Sequence, residues 1–124
     1  MNVKSWLVAK LIANTALMTA IGGQSHLLPQ HPGTIAAYPC LIYTEADHAT
    51  TAYFDNVATA VRSIIVFDIY TSGGTTSTIF DLLQSVMAGL FYNLDFSSDV
   101  PEADTSLRHK TCRYQRAVRA EDLI

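Results

Sequence analysis

The stretch from Arg62 to Thr71 is the sequence feature that most limits which folds this chain can adopt. It contains the run SIIVFDIY, which is dense in the β-branched and aromatic residues typical of β-strands. Because the run is hydrophobic almost throughout, we expect a strand that is covered on both of its faces. Further strands are predicted at 38–45, where side chains alternate, and at 107–118. The chain therefore needs a sheet, together with other elements that cover it.

Two helices are predicted around these strands. Apolar residues recur at close to helical spacing over residues 2–21, with a break near Asn14, whose side chain can cap a restarted helix. Two glycines at 22–23 provide a stop for this helical region. The second helix is predicted at 77–92, after a Ser-Gly-Gly turn at 72–74.

The remaining segments are predicted to be connections. We expect an ordered surface loop at 24–37, which contains two prolines, and an exposed connection at 46–60. A short extended piece at 95–98 and an acidic loop at 99–104 precede the last strand. The order helix, strand, strand, helix, strand predicts an α+β fold with two main helices on one face of a small mixed or antiparallel sheet of three to four strands. At 124 residues, the chain fits a single domain that spans residues 1–124.

Composition narrows the range of functions. The chain is 49% hydrophobic and 15% charged, which is typical of a globular protein and leaves some apolar residues for an interface. Lys10 and Asn14 interrupt the N-terminal apolar run, so we expect neither a signal peptide nor a membrane span. Cys40 and Cys112 lack metal-ligand spacing, and buried free thiols of an intracellular protein are favoured over a disulfide across the sheet.

The sequence contains no recognisable catalytic or cofactor-binding motif. The glycines at 73–74 precede a helix, yet no lysine follows them, so a capped turn is favoured over a phosphate-binding loop. The histidines follow no ligand pattern; a metal site in the proline-containing loop is conceivable, but solvated loop residues are the favoured interpretation. The four histidines are His26, His31, His48 and His109. We therefore expect no enzyme activity, no cofactor and no metal.

Asp68 is the best candidate for a carboxylate with a perturbed pKa, because it interrupts the most hydrophobic strand. Three roles are open to it: a catalytic acid, half of an interface salt bridge, or an edge-facing structural partner of an arginine on a neighbouring strand. The structural role is favoured over catalysis, with Arg113 or Arg116 as the expected partner.

The charges are divided unevenly along the chain. Between Glu45 and Asp104 there are nine acids and a single base, Arg62, whereas residues 108–119 contain five bases and no acid. Opposite blocks suit complementary contacts, either within one fold or between copies arranged head to tail, and local pairing on solvated faces is the plainer alternative. The net charge of −3 argues against general nucleic-acid binding, although the basic stretch could touch phosphate. The residues expected at a subunit or partner interface are Arg108, Lys110, Arg113, Arg116, Arg119 and Asp68.

Several segments, taken in order, carry a resemblance to a known family. They are the N-terminal helix ending in ALMTAIGG, the proline-containing loop, the strand opened by Tyr38 and Pro39, the strand Ile64–Tyr70, the helix 77–92 and the late strand His109–Arg116. In this order and spacing, over residues 3–118, the chain resembles the tail terminators of long-tailed bacteriophages, which are also called tail-completion or head-to-tail joining proteins.

The resemblance implies a structural virion protein at the junction of tail and neck, assembled in the host cytoplasm. Such a protein forms a homo-hexameric ring on the last ring of the tail tube protein, ends tube growth and docks the head connector or stopper protein. DNA would pass through the lumen of the ring. The resemblance assigns no role to an individual side chain. A head-closure or stopper-type neck protein is the alternative within this class, and a small ligand-binding or enzymatic α/β domain is the alternative outside it.

Overall fold

The computed structural model describes residues 2–35, 37–54 and 57–123, and at 47–52, 54, 57 and 58 it describes only the backbone. The element order confirms the predicted α+β class. The helices are α1 (Val3–Ala13), α2 (Thr15–Ile21) and α3 (Ser77–Gly89); the strands are β1 (Leu27–Leu28), β2 (Cys40–Phe54), β3 (Val57–Ser72), β4 (Asn93–Val100) and β5 (Leu107–Arg119); short 3-10 turns lie at Gln24–His26 and Ala120–Asp122.

Asn14 divides the N-terminal helical region into α1 and α2. Its backbone N–H donates to the carbonyl oxygen of Leu11 at 3.1 Å, which closes α1. Its side-chain oxygen accepts a hydrogen bond from the N–H of Leu17 at 2.9 Å, in the first turn of α2. The first amides of a helix lack partners within the helix, and a capping asparagine satisfies one of them. The predicted break near Asn14 is confirmed.

Gly22 ends α2 in the left-handed conformation, with φ of 98°. A Cβ at this position would lie 3.0 Å from ring atoms of His26, so the site favours glycine for its backbone angle and also for space. The His26 ring in turn donates from Nδ1 to the carbonyl oxygen of Pro39 at 2.6 Å. This bond joins the 3-10 turn that follows α2 to the residue that precedes β2.

The five strands form one mixed sheet in the order β1-β2-β3-β5-β4. β1 pairs with β2 in parallel, and the other three pairs are antiparallel. The strongest predicted strand lies in β3, at the centre of the sheet, as its hydrophobicity predicts. The sheet has one strand more than expected, because two residues of the proline-containing loop form β1 and the extended piece at 95–98 lengthens into β4.

The three helices pack on one face of the sheet, as predicted, and α2 contacts both α1 and α3. Alternation along β3 turns Ile65, Phe67 and Ile69 towards the helices, since successive side chains of a strand point to opposite faces. The largest fully buried side chains of this core are Leu7, Leu11, Leu17, Ile21, Leu41, Ile65, Phe67, Ile69, Leu83, Met87 and Tyr114.

A smaller apolar cluster covers one end of the helix-free face. Cys40, Ile42 and Tyr70 are buried there, beneath side chains of the proline-containing loop. Cys112 lies instead in the main core, so the two cysteines are on opposite faces of the sheet and both are free. The preference for buried free thiols over a disulfide is confirmed.

The expected exposed connection at 46–60 is wrong for the part that the structure describes. β2 and β3 continue as a long antiparallel hairpin whose backbone pairing reaches Phe54 and Val57; residues 55–56 lie outside the described part. The small and acidic residues of this segment are weak strand formers on their own, and pairing with the hydrophobic strand overrides their preference.

The loop predicted at 24–37 also contains regular structure. Residues Gln24–His26 form a 3-10 turn, and Leu27–Leu28 pair with β2, while Ala36 lies outside the described part. The two prolines of this segment led to the prediction of a loop, but a short edge strand ends immediately before the first of them.

Candidate interaction surfaces

Strand alternation divides the five predicted interface bases, all in β5, between the two sides of the sheet. Arg113 and Arg116 lie on opposite sides, because Cys112 and Tyr114 belong to the helix-side core. Arg108, Lys110 and Arg116 are on the helix side, and Arg113 and Arg119 are on the helix-free side.

Arg116 is built into the fold. Only 13% of its side chain is exposed, and its guanidinium donates to the carbonyl oxygen of Leu90 at 2.7 Å and to Oδ2 of Asp122 at 2.8 Å. The same Asp122 oxygen accepts the N–H of Arg119 at 2.9 Å. Arg116 therefore joins the C-terminal turn to the end of α3.

The other four bases also have partners within the chain. Arg108 donates to two backbone carbonyl oxygens, those of Thr105 and Leu107. Surface contacts of this kind contribute little to stability individually. They do, however, pair within the chain the charges that were expected to meet a partner. The ion pairs are Lys110 with Asp99 at 3.5 Å, Arg113 with Asp95 at 3.5 Å and Arg119 with Glu121 at 3.2 Å.

Asp68 pairs with a histidine and not with an arginine. Its Oδ1 lies 2.7 Å from Nε2 of His109, and Nδ1 of His109 lies 2.8 Å from Oε1 of Glu102. The expected partnership with Arg113 or Arg116 is wrong. Arg116 points to the opposite side of the sheet, and Arg113, which is as far along β5 from Thr111 as His109 is, pairs with Asp95 at 3.5 Å. Asp68 also lies in the central strand, not at an edge.

Two aromatic rings pack at the cluster formed by Asp68, His109 and Glu102, which we call the His109 cluster. Tyr70 stacks on His109, with ring centroids 4.1 Å apart and an angle of 17° between the planes, and His31 meets Tyr70 edge-on at 5.7 Å. Burial, with the nearby charges of Asp68 and Glu102, raises the pKa of Tyr70 to about 12. The phenol therefore stays protonated at neutral pH and is not an activated nucleophile.

Sequence reasoning missed Glu102 and His109 as the partners of Asp68. Alternation places His109 on the same side of β5 as Thr111, and Asp68 lies opposite Thr111 in the sheet. The alternation was visible in the sequence. The register between β3 and β5 could not be read from the sequence, because these two strands pair although α3 and β4 separate them along the chain.

The turn before α3 is closed by its own side chains. The N–H of Ser77 donates to Oγ1 of Thr75 at 3.1 Å, and Oγ1 of Thr71 donates to the carbonyl oxygen of Gly74 at 3.2 Å. A groove between this turn and the segment 99–110 is lined by carboxylates as well as bases, so it has no selective preference for an anion. The N-cap residue of α3, Thr76, makes no side-chain capping hydrogen bond, so the predicted cap is not formed and the turn is held by Thr71 and Thr75.

The described residues offer little catalytic chemistry. Burial raises the pKa of Cys40 to about 11 and that of Cys112 to about 12, so neither thiol is an activated nucleophile. Among the described residues, no group of three or more His, Cys, Asp or Glu could hold a metal ion, and no helix is long and apolar enough to cross a membrane. His26 is engaged with Pro39, and the side chain of His48 lies outside the described part.

Large apolar side chains are exposed at and beside β4, the edge strand of the sheet. Phe91 is 76% exposed, Phe96 54% and Leu94 37%. A register irregularity after Leu94 makes Asp95 and Phe96 share the space of one residue, which is how a β-bulge re-aims side chains. Phe96 lies opposite Arg113 on the helix-free side, whereas Phe91 lies near Arg116 on the helix side.

Comparison with solved structures finds the same fold in a virus-like particle. A chain of the virion of a native gene transfer agent particle matches with a TM-score of 0.57 and 12% sequence identity. The match covers 95% of this chain and 95% of that chain. No protein-family model and no curated protein matches the sequence. The likeness establishes a shared fold over almost the full length.

Proposed function

We propose that this chain is a structural virion protein that forms a ring at the end of a tail tube, ends tube growth and joins the tail to the head connector. The observation that carries the proposal is the likeness in fold, over 95% of both chains, to a chain of a gene transfer agent virion. A likeness over nearly the whole of both chains means that no large insertion separates the two architectures, as expected if they occupy similar positions in related particles.

The site chemistry supports a structural role. The thiols are buried and protonated, and the His109 cluster, on which the Tyr70 ring stacks, contains no activated nucleophile. The exposed features are apolar side chains near an edge strand and charges of both signs, which are features of contact surfaces. The proposed partners are further copies of this chain in a hexameric ring, the tail tube protein and the head connector or stopper, with DNA passing through the lumen. The proposed location is the junction of tail and neck in the virion.

Electron microscopy of lysates from the parent phage, with this gene deleted, tests the proposal. We expect overlong or unfinished free tails beside DNA-filled heads without tails. Free tails of normal length beside leaking heads would instead indicate a head-closure protein, and intact virions would contradict an assembly role altogether. Expression of the wild-type gene from a plasmid, which should restore joined particles, is the control.

A further inference from the structure

The first turn of α3 leaves several hydrogen-bond donors without partners. Ser77 donates its N–H to Oγ1 of Thr75 at 3.1 Å. Within the described ranges, no acceptor takes the N–H groups of Thr76, Thr78 and Ile79. The first amides of a helix have no partner inside the helix, and together they carry a partial positive charge. This end of α3 attracts a negative group, as the starts of helices do in general.

Thr76 adds a donor that is buried and yet unused. Only 8% of this residue is exposed, and its hydroxyl makes no hydrogen bond within the part of the chain that the structure describes. A buried hydroxyl without a partner costs free energy, so native proteins retain few of them. Among the described residues, only Nε1 of Trp6 is both unpartnered and sealed from solvent. The Thr76 hydroxyl is therefore reachable from outside, and Thr76 lines the groove between this turn and the segment 99–110.

Arg108 lies on the opposite wall of the same groove. Four of the five predicted interface bases pair with an acid of this chain. Arg108 bonds only the carbonyl oxygens of Thr105 and Leu107, and no acid in the described ranges pairs with it. A guanidinium is always charged and has five N–H donors, and these two bonds use Nη1 alone. The groove thus contains a base whose charge has no counterpart among the described residues.

The acids of the groove limit which ligand it can take. Asp99 pairs with Lys110 at 3.5 Å, and Glu102 pairs with His109 at 2.8 Å. Both acids already have partners, so they repel an added negative charge, and this is why the groove as a whole does not select a free anion. A phosphate dianion would meet that repulsion with one unpaired base to offset it. A single carboxylate matches the charge of Arg108, and a polypeptide that carries it adds contacts of its own along the groove.

We propose that the groove binds an aspartate or glutamate side chain of another protein, with the carboxylate between Arg108 and the first turn of α3. The Thr76 hydroxyl and the unused amides donate to one side of the carboxylate, and the guanidinium donates to the other. Hydrogen bonds of this kind, in which one or both groups are charged, are the stronger ones in proteins. We call Thr76, Arg108 and the three unused amides the carboxylate site.

The carboxylate site rests on the proposed function only for the identity of its partner, which is then a neighbouring protein of the virion. The chemistry of the site does not depend on that identity. Two of the bases expected at an interface, Arg108 and Lys110, lie in this groove, and the pairing of Lys110 with Asp99 leaves Arg108 as the one that meets the partner.

Nuclear magnetic resonance with a defined probe tests the carboxylate site in the purified protein. The probe is the peptide Ala-Glu-Ala with both ends capped, and capped Ala-Gln-Ala is its neutral control. We expect the glutamate peptide to shift the amide signals of Thr76, Thr78 and Ile79. It should bind at least about 10-fold more tightly than the glutamine peptide, because hydrogen bonds to a charged group are the stronger ones. Equal binding of the two peptides, or larger shifts of these amides with inorganic phosphate than with the glutamate peptide, would overturn the proposal.

Two variants assign the binding to the named side chains. Thr76→Val removes the hydroxyl and keeps the shape of the side chain, and Arg108→Gln removes the unpaired charge. Each should weaken binding of the glutamate peptide by at least about 5-fold. The matched controls are Thr105→Val, in the same groove, and Arg119→Gln, which removes an equal charge from the helix-free side. Both controls should stay within about 2-fold of wild type. Wild-type binding by Thr76→Val or by Arg108→Gln would contradict the proposal.

The stability of Thr76→Val provides a second readout. A hydroxyl that bonds nothing in the free protein contributes nothing to the folded state, and valine buries no unpaired polar group. The urea midpoint of Thr76→Val should therefore equal or exceed that of the wild type. A lower midpoint would mean that the hydroxyl is already satisfied within the fold, and the argument for a ligand at Thr76 would fail.

The outcomes for the carboxylate site and for the proposed function are distinct. If the glutamate peptide binds as expected but the gene deletion gives head-side defects, the site stands and the terminator role fails. If the deletion gives overlong tails but the glutamate and glutamine peptides bind equally, the terminator role stands and the site fails.

Discussion

His109 lies between two carboxylates, and its bond to Asp68, with 2.7 Å between Nε2 and Oδ1, ties β5 to the central strand. Its second ring nitrogen meets Glu102 in the connection between β4 and β5. Both ring nitrogens are thus within hydrogen-bond distance of a carboxylate oxygen. One side chain thus links three segments of the helix-free face.

We expect His109→Ala to lower the free energy of unfolding by about 2 to 3 kcal/mol, because two half-buried carboxylates lose their shared donor and remain close together. Urea unfolding monitored by tryptophan fluorescence would measure the change. His31→Ala is the matched control: it removes an edge-on contact with Tyr70 and an exposed hydrogen bond from the N–H of Gly33, and it should cost less than about 1 kcal/mol. Equal losses from the two variants would show that the ion pairs contribute nothing beyond ring packing.

Arg113 and Arg116, both expected at an interface, should respond differently to charge reversal. Arg116→Glu should destabilise the protein by about 2 to 4 kcal/mol, because the half-buried guanidinium bonds both Leu90 and Asp122, and a glutamate would face that aspartate. Arg113→Glu should change stability by less than about 1 kcal/mol, since its side chain is 51% exposed. Thermal unfolding of both variants, side by side, is the measurement. A stable Arg116→Glu protein would mean that the C-terminal turn is dispensable.

This difference also decides how an interface experiment must be designed. Arg113 and Arg116 were both expected at an interface, so reversing their charges together would be the direct test of that expectation. The contacts of Arg116 make that pair unsuitable, because a joining defect could follow from partial unfolding. Arg113→Glu with Arg119→Glu changes only exposed bases on the helix-free side, so it tests an interface there without disturbing the fold.

The capping hydrogen bond of Asn14 should contribute more to the free energy of unfolding than is usual for an uncharged side chain. Asn14→Ala removes the acceptor for the N–H of Leu17, which is half-buried between α1 and α2, and we expect a loss of about 1 to 2 kcal/mol. Asn2→Ala removes the equivalent bond to Ser5, but at the exposed start of α1, so a loss below about 0.5 kcal/mol is expected. Denaturant unfolding compares them. A smaller loss for Asn14 than for Asn2 would contradict the role of the cap as a joint between two helices.

Local signals in the sequence predicted the elements well where one residue type has one strong role. Asn14 marks a cap, Gly22 a left-handed stop, and the run around Phe67 a central strand; each effect acts within a few residues, so it can be derived without knowing the fold.

The sequence could not predict the register of β3 against β5 or how far the β2–β3 hairpin extends. The pairing of Asp68 with His109 depends on which residues of β3 and β5 lie opposite each other, and two residues of offset would have brought a different partner. The hairpin at 46–54 was predicted to be loop because its composition is weak, and it becomes strand by pairing. The position of Phe91 at a left-handed helix end was hidden too, because a phenylalanine there violates the usual glycine rule.

The stability of the protein should fall at alkaline pH because of buried groups that cannot ionise in the folded state. Burial raises the pKa of Cys40 from 9.0 to about 11, and that of Cys112 from 9.0 to about 12. A raised pKa means that the folded state keeps a proton that the unfolded state releases, so the stabilisation is complete below pH 9.0 and is lost as the pH rises towards 11 and 12. Urea midpoints measured from pH 7 to pH 11 should therefore decline above pH 9.

A Cys40→Ala, Cys112→Ser variant isolates the contribution of the thiols: it will be less stable overall, but its midpoint should decline less steeply between pH 9 and pH 11, as the linkage of these two groups requires. Part of the decline should remain, because burial also raises the pKa of Tyr70 to about 12. The same burial predicts that a thiol reagent at pH 8 reacts with neither cysteine of the folded protein and with both in urea, since only about one thiol in a thousand is ionised three pH units below its pKa. Rapid reaction of either thiol without urea would show that the sheet opens at β2 or β5 far more readily than these contacts allow.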